Sequence, residues 1–206
     1  MDPLVVVDFN GALFRSRPFD EAHKSWFKLF SVLLEDNSVN DWAFSDNYFE
    51  GVHRCMEKYM GSKDKETQTL FARQLYAMCL VAETREEDLV KEFADYLRTL
   101  RERYNLVLLT SAPEEAVLPM LKKVNCIDIF DIIYPSSSKD HPDKLSLFNA
   151  FISRYEKPLF YIGKGDSDLG ALKDLDIKTI CVNWVTKGKF SGTYNIDNIE
   201  ELKDIF

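Results

Sequence analysis

Side chains that could bind an anion follow several apolar runs of the sequence. Asp8 ends the run LVVVD, and Thr110, which Ser111 follows, ends the run LVLLT. A lysine-bearing loop at 136–144 follows a third run, and the polar loop GKGDSD at 163–168 follows a fourth. A carboxylate, a hydroxyl, lysines and an acidic loop in one crevice predict an anion-handling site with a carboxylate nucleophile.

The runs themselves have the length and composition of buried strands. They lie at 4–8, 106–110, 130–134, 159–163 and 178–183, with helical patterns between the last four. Alternating strands and helices predict a parallel sheet with right-handed crossovers. Because ligands bind at the carboxyl ends of such strands, the polar clusters are expected to share one edge.

A long helical block separates the first strand from the second. From about 18 to 103 the apolar residues recur at helical spacing, as in Ala22, Trp26, Phe30 and Leu33, and about four helices are expected with no strand. We therefore predict an α/β protein with a Rossmann-like doubly wound parallel sheet and an inserted all-α cap. The core would comprise 1–16 and 105–206, and the cap 17–104.

Aromatic residues are frequent in the helical block. Most are expected in its core, whereas some between 39 and 50 are candidates to face the crevice and set substrate choice. His23 and His53 have no partners at metal-ligand spacing and are expected at the surface or between helices.

Four segments in order resemble the motifs of the haloacid dehalogenase superfamily. They are VVVDFNGALF, LVLLTSAP, Lys139–Asp143 in the form KDHPD, and YIGKGDSDLGAL. The inserted helices resemble the C1 cap of the phosphoglycolate-phosphatase-like members. The resemblance implies a Rossmann-like core and covers nearly the whole chain.

The resemblance implies roles for individual residues. Asp8 would attack phosphorus to give an aspartyl-phosphate, and Thr110 would hydrogen-bond the phosphoryl oxygens. Lys139 would neutralise the anion and orient Asp8, and it is favoured because it precedes the x-x-Pro-Asp signature. Lys144, which opens the next helical pattern, is the alternative, and some members have a lysine there. His141 lies in the same loop and is expected to face solvent.

The same resemblance implies a small phosphorylated molecule as the ligand. The expected substrate contacts are Phe9, Gly11, Ser111 and Ala112.

A magnesium ion would be the cofactor expected from the family. Its ligands would be Asp8, the backbone of Asn10, and Asp168. Asp166 has no counterpart among the family's ligands and is expected in solvent or capping a turn.

The site departs from the family pattern at two positions. Asn10 replaces the aspartate that protonates the leaving group and then activates water, and losing a general acid–base group typically costs 10²–10⁴-fold in rate. Lys164 replaces a carboxylate ligand of the metal, which raises the formal charge by two units. A divalent ion 4 Å from an ammonium would face a repulsion of roughly 8 kcal/mol at an effective dielectric of 20. Magnesium binding is therefore doubtful, and the Lys164 ammonium could occupy the metal's place.

Three functions remain open at this point. The first is a phosphatase-type hydrolase of a small phosphorylated metabolite with a compromised or absent magnesium site. The second is a catalytically inactive protein of the same fold that binds a ligand or regulates. The third is a metal-independent, dehalogenase-like hydrolase, against which stands Thr110-Ser111 where Ser-Asn is expected.

Composition and charge restrict the classes of partner that the protein is expected to bind. The 206 residues include 26 Lys and Arg against 34 Asp and Glu, a net charge of −8 that disfavours nucleic acid and anionic lipid. No apolar run approaches the ~20 residues of a membrane helix, and the N-terminus lacks a basic signal region. The four cysteines have no metal-binding spacing, which predicts buried reduced thiols in a cytoplasmic protein. A monomer or a homodimer is expected, because nothing in the sequence marks a larger assembly.

Overall fold

A computed structural model of the chain describes residues 2–45, 47–139, 143–165, 172, 175–185 and 191–206. Within these ranges, six strands form one sheet. In chain order they are β1 Leu4–Val7, β2 Asn105–Pro113, β3 Ile132–Ser136, β4 Phe160–Lys164, β5 Lys178–Val182 and β6 Tyr194–Ile196.

The sheet is parallel throughout, in the order β3-β2-β1-β4-β5-β6. The first strand is central, with Val5 opposite Leu106 of β2 on one side and Phe160 of β4 on the other. The predicted α/β, doubly wound architecture is confirmed. Because β1, β2 and β4 are neighbours, the residues that follow them meet at one edge.

Both faces of the sheet are covered, which explains the uninterrupted apolar run of β1. Val5 and Val7 belong to one hydrophobic cluster, and Leu4 and Val6 belong to a second cluster on the opposite face. A strand buried on both faces needs apolar residues at successive positions, because alternate side chains point to opposite faces.

Helices connect and cover the strands. They are α1 Arg17–Leu33, α2 Tyr48–Met60, α3 Lys65–Glu83, α4 Lys91–Leu100, α5 Glu114–Lys123 and α6 Lys144–Ile152. Short 3₁₀ helices lie at Asn37–Phe44 and Ile199–Asp204, among others. None of the described helices is both long enough and apolar enough to cross a membrane.

The helices of the inserted block have a core of their own. Trp26 stacks on Phe30 with ring centroids 4.2 Å apart, and both are buried. The Trp26 indole N–H donates to the Ala72 carbonyl at 3.1 Å, which links α1 to α3. Met56 of α2 belongs to the same cluster. Burial of such aromatic side chains contributes roughly 1.5–3 kcal/mol each.

The end of the block packs against the sheet. Phe93 and Leu97 of α4 are fully buried in the cluster that contains Val5 and Val7. Helix α4 therefore lies on the sheet although it falls inside the range 17–104 that the sequence suggests for a cap. The division into core and cap stays a prediction.

Candidate active site

A cavity of about 960 Å³ opens between the carboxyl edge of the sheet and helices α1–α3. The sheet edge contributes predicted site residues: Asp8, Asn10, Thr110, Ser111, Ala112, Lys144 and Lys164. The structure therefore brings together side chains from segments more than a hundred residues apart. A cavity of this size lies in the range of small-molecule sites.

Asp8 and Lys144 form a buried ion pair at the floor of this cavity. The Lys144 Nζ lies 2.6 Å from Asp8 Oδ1, and the side chains are 7% and 5% exposed. The Phe9 backbone N–H also donates to Oδ1, at 2.9 Å. Both of these donors therefore bind the same oxygen of the carboxylate.

Of the two candidate lysines, the structure places the alternative, Lys144, beside Asp8. Lys139 is exposed, whereas Lys144 is buried against the carboxylate. The physical reason is the cap of α6, where the Asp143 side chain accepts from the Ser146 N–H at 2.8 Å and places Lys144 at the first helical position. Residues 140–142, which include His141 and most of the expected motif, lie outside the described ranges.

The end of β2 is held by hydroxyl and guanidinium contacts. The Ala112 N–H donates to Thr110 Oγ1 at 3.1 Å. Buried Arg73 of α3 donates to the Ser111 carbonyl at 3.1 Å and also to Ser136 Oγ. Ser136 Oγ donates in turn to the Ser111 carbonyl at 2.6 Å. These bonds connect helix α3 to the ends of β2 and β3, and Arg73 adds a buried cation to the lining of the cavity.

The turn after β1 differs in part from expectation. Phe9 does not line the cavity: its side chain is fully buried, with its ring centroid 4.8 Å from Phe14. Gly11 has φ +83°, and a Cβ there would approach the Lys164 Cδ to 2.5 Å. The glycine is therefore required both by its backbone conformation and by the lysine stem that lies over it.

Solved structures with the same fold match nearly the whole chain. A predicted phosphatase from Clostridium acetobutylicum is 20% identical with a TM-score of 0.70, over 100% of this chain and 98% of that chain. The chain has the haloacid dehalogenase fold. The resemblance predicted from the motifs is thus confirmed at the level of the fold.

Two further neighbours of this fold carry ligands. YfnB, a HAD-type hydrolase from Bacillus subtilis bound to magnesium, is 16% identical with a TM-score of 0.64, over 99% of this chain and 98% of that chain. A mutant of CbbY from Rhodobacter sphaeroides in complex with xylulose 1,5-bisphosphate is 15% identical with a TM-score of 0.66, over 98% and 96% of the two chains. The sequence matches no protein-family model, and no curated protein matches it significantly.

The described residues cover only part of the magnesium site that the resemblance implies. No three acidic, histidine or cysteine side chains within the described ranges come together as a metal site. Asp8 is already paired with Lys144, and Lys164 lines the cavity where the resemblance implies a carboxylate. The expected ligand Asp168, like Asp166, lies outside the described residues. Mg²⁺ prefers oxygen donors, and a neighbouring ammonium opposes it.

Two polar groups near this edge have unusual surroundings. The side-chain oxygen of Asn10 is buried and accepts no hydrogen bond within the described part of the chain. Asp20 of α1 lines the cavity, and desolvation raises the pKa of its carboxyl while the Lys164 charge opposes that rise. Asn10 thus supplies an amide oxygen at the place where the resemblance implies a titratable group.

The helical block supplies an aromatic wall to the cavity, formed by His23, Phe44, Tyr48, Phe49 and Tyr76. The His23 ring lies 4.5 Å from Tyr48 and 5.0 Å from Tyr76, measured between centroids. Tyr48 lies 5.3 Å from Phe49. The expectation that some aromatics between 39 and 50 face the crevice agrees with this placement.

Arg73 is the cavity residue that the motifs do not indicate. It belongs to the buried face of α3 that also carries Ala77 and Leu80, at i, i+4 and i+7. The sequence signal for Arg73 is a single cation on an otherwise apolar helical face. Because Arg is rarely buried without a partner, such a residue is expected to bind a polar group.

Proposed function

We propose that the protein hydrolyses phosphate monoesters of small molecules, with Asp8 as the nucleophile and lysine side chains supplying positive charge at the phosphoryl group. The observation that carries the proposal is the buried pair of Asp8 and Lys144 on the floor of a ligand-sized cavity. A buried carboxylate is costly, and its burial beside a cation at a sheet edge is typical of a reacting group.

The chemistry would proceed in two displacements. An oxygen of Asp8 bonds to phosphorus, and the ester P–O bond breaks with its electron pair passing to the leaving oxygen. A water oxygen then bonds to the phosphorus of the aspartyl-phosphate, and the P–O bond to Asp8 breaks with its electron pair passing to the carboxylate. The attacking water loses one proton to solvent, and inorganic phosphate leaves. Both steps bring negative charge onto phosphoryl oxygens, which nearby cations stabilise.

The residues around Asp8 supply these interactions. Lys144 holds the carboxylate and, with Lys164, offsets the charge of a bound phosphate. Thr110 and Ser111 line the same region and offer hydroxyl donors. Because the described donors oppose a divalent cation, we propose that turnover is independent of magnesium.

A second candidate function is favoured by Asn10. An amide can neither protonate a leaving group nor activate water, and its buried oxygen suits a fixed hydrogen-bond acceptor. A protein with this change could bind a phosphorylated ligand without turning it over.

Turnover of 4-nitrophenyl phosphate and of a sugar-phosphate panel, with magnesium and with chelator, separates the two. Activity that persists in chelator and disappears in Asp8→Asn would support the hydrolase. Activity that requires magnesium would refute the role given to Lys164. A folded protein without turnover that still binds inorganic phosphate would favour the binding protein.

A further inference from the structure

The aromatic wall and the amide at position 10 point to one class of substrate. We propose that the ligand is a phosphate monoester of a phenol-like ring hydroxyl, with its ring against the aromatic wall and its phosphate at Asp8. This inference rests on the proposed hydrolase, and it adds the chemical class of the leaving group.

The wall is apolar where the cavity is open. Phe44 and Phe49 line the cavity and yet are 64% and 55% exposed. Large apolar side chains exposed together in a concave site mark a ligand surface, because burying them against a ligand is favourable. A planar ring gains further from offset or edge-to-face contact with aromatic neighbours.

The rings of the wall are uncharged at neutral pH. Burial lowers the pKa of His23 to about 4, and burial raises the pKa values of the Tyr48 and Tyr76 phenols. Arg73, Lys144 and Lys164 line the cavity together with Asp8, and Lys63, Lys65, Glu57 and Asp64 also line it. The Lys24 Nζ lies 5.1 Å from the centroid of the Phe44 ring. The cavity therefore combines cations beside Asp8, suited to a phosphate, with uncharged aromatic rings from the helical block, suited to a ring.

Asn10 gives an independent reason for a ring hydroxyl. An alkyl ester expels an alkoxide, whose conjugate acid has a pKa near that of water, about 16, unless an acid protonates it. A phenol has a pKa of about 10, so its oxygen can leave as the anion and take a proton from water afterwards. Loss of the acid therefore penalises alkyl esters far more than aryl esters.

The leaving-group argument is tested by comparing phenyl phosphate with cyclohexyl phosphate, which is similar in size. The expected preference in kcat/KM for the phenyl ester is at least about 100-fold, the smaller end of the effect of a general acid. Asn10→Asp is expected to narrow this ratio by raising turnover of the cyclohexyl ester. Equal kcat/KM for both esters would overturn the inference.

The ring contact is tested without turnover. Phenylphosphonate, which cannot be hydrolysed, is expected to bind about two- to tenfold more tightly than cyclohexylphosphonate in calorimetry. Phe49→Leu should remove this preference. Tyr59→Leu is the matched control, since Tyr59 is on the same helix and 46% exposed but does not line the cavity.

The two tests distinguish failure of the inference from failure of the proposed function. Equal affinity for both phosphonates, or a preference that survives Phe49→Leu, would overturn the ring site even if the protein is a hydrolase. A preference lost in Phe49→Leu without turnover of any ester would support the ring site and refute the hydrolase, together with the leaving-group argument.

Discussion

Replacing Lys144 with Met is expected to lower the free energy of unfolding by about 3–5 kcal/mol, the usual cost of removing one partner of a buried ion pair. The change deletes the ammonium 2.6 Å from Asp8 Oδ1 and keeps a flexible apolar side chain of similar length. The carboxylate of Asp8 would stay buried with the Phe9 N–H as its remaining recorded donor.

The magnitude follows from the geometry. At 2.6 Å and an effective dielectric of 20, two unit charges attract by about 6 kcal/mol. Part of this offsets the desolvation of both groups, so the pair itself adds little net stability, whereas an orphaned carboxylate retains its full desolvation cost. Since domains are stable by only about 5–15 kcal/mol, Lys144→Met should leave a folded but marginal protein.

A double-mutant cycle in urea measures this coupling. We expect Asp8→Asn combined with Lys144→Met to be more stable than Lys144→Met alone by at least about 2 kcal/mol, because the neutral amide no longer needs a cation. Lys139→Met is the control, and its exposed side chain should change stability by less than about 0.5 kcal/mol.

Two results would refute the reasoning. One is a cost of Lys144→Met below about 1 kcal/mol, which would mean that Asp8 is not held by this lysine. The other is strict additivity with Asp8→Asn, which would mean that Lys144 stabilises the fold through contacts unrelated to the carboxylate.

Further changes probe other parts of the site. The pKa of His23 is about 4 in the folded protein and 6.5 in the unfolded chain. The stability that the protein gains by burying the neutral ring is therefore complete above pH 6.5, and it is lost as the pH falls toward 4. His23→Phe should therefore reduce the acid-induced loss of unfolding free energy by about 2.4 kcal/mol between urea titrations at pH 7 and 4.5, with exposed His53→Phe as the matched substitution. Gly11→Ala should lower the urea midpoint by the equivalent of about 1–3 kcal/mol, because φ is +83° and the new Cβ meets Lys164, and an unchanged midpoint would contradict that contact. Arg73→Met should cost about 1.5–3 kcal/mol by the same measurement, and a neutral effect would mean that its bonds to β2 and β3 add no stability.

Much of the fold can be predicted from the sequence because its signals are local. Five buried strands show as apolar runs, and their spacing by helical patterns indicates the parallel sheet. Strand β6 is not found in this way, since Tyr194–Ile196 has three residues and only Ile196 is buried. An edge strand of that length forms because it pairs with β5. The local sequence pattern contains no information about this pairing.

The identity of the lysine beside Asp8 shows the limit of motif matching. Lys139 precedes the x-x-Pro-Asp signature of the family motif, and Lys144 is five positions later. What decides between them is the N-terminal cap formed by Asp143, which begins α6 and points its first residue toward the sheet edge. Capping signals such as D-x-x-S therefore add information that a family pattern lacks.

The substitutions at positions 10 and 164 act on one site, and their effects reinforce each other. In the pattern that the sequence resembles, position 10 carries an acid–base group and position 164 a carboxylate. With Asn10 and Lys164 instead, we expect this edge to be less able to protonate a leaving group and better able to hold an anion. The Lys164 stem needs the Cβ-free position of Gly11, and its charge acts on Asp20 across the cavity. The neighbours Gly11 and Asp20 therefore provide space and opposite charge for the Lys164 side chain. Such a site is selective for esters that leave without help, and this is the behaviour that the aryl and alkyl esters distinguish.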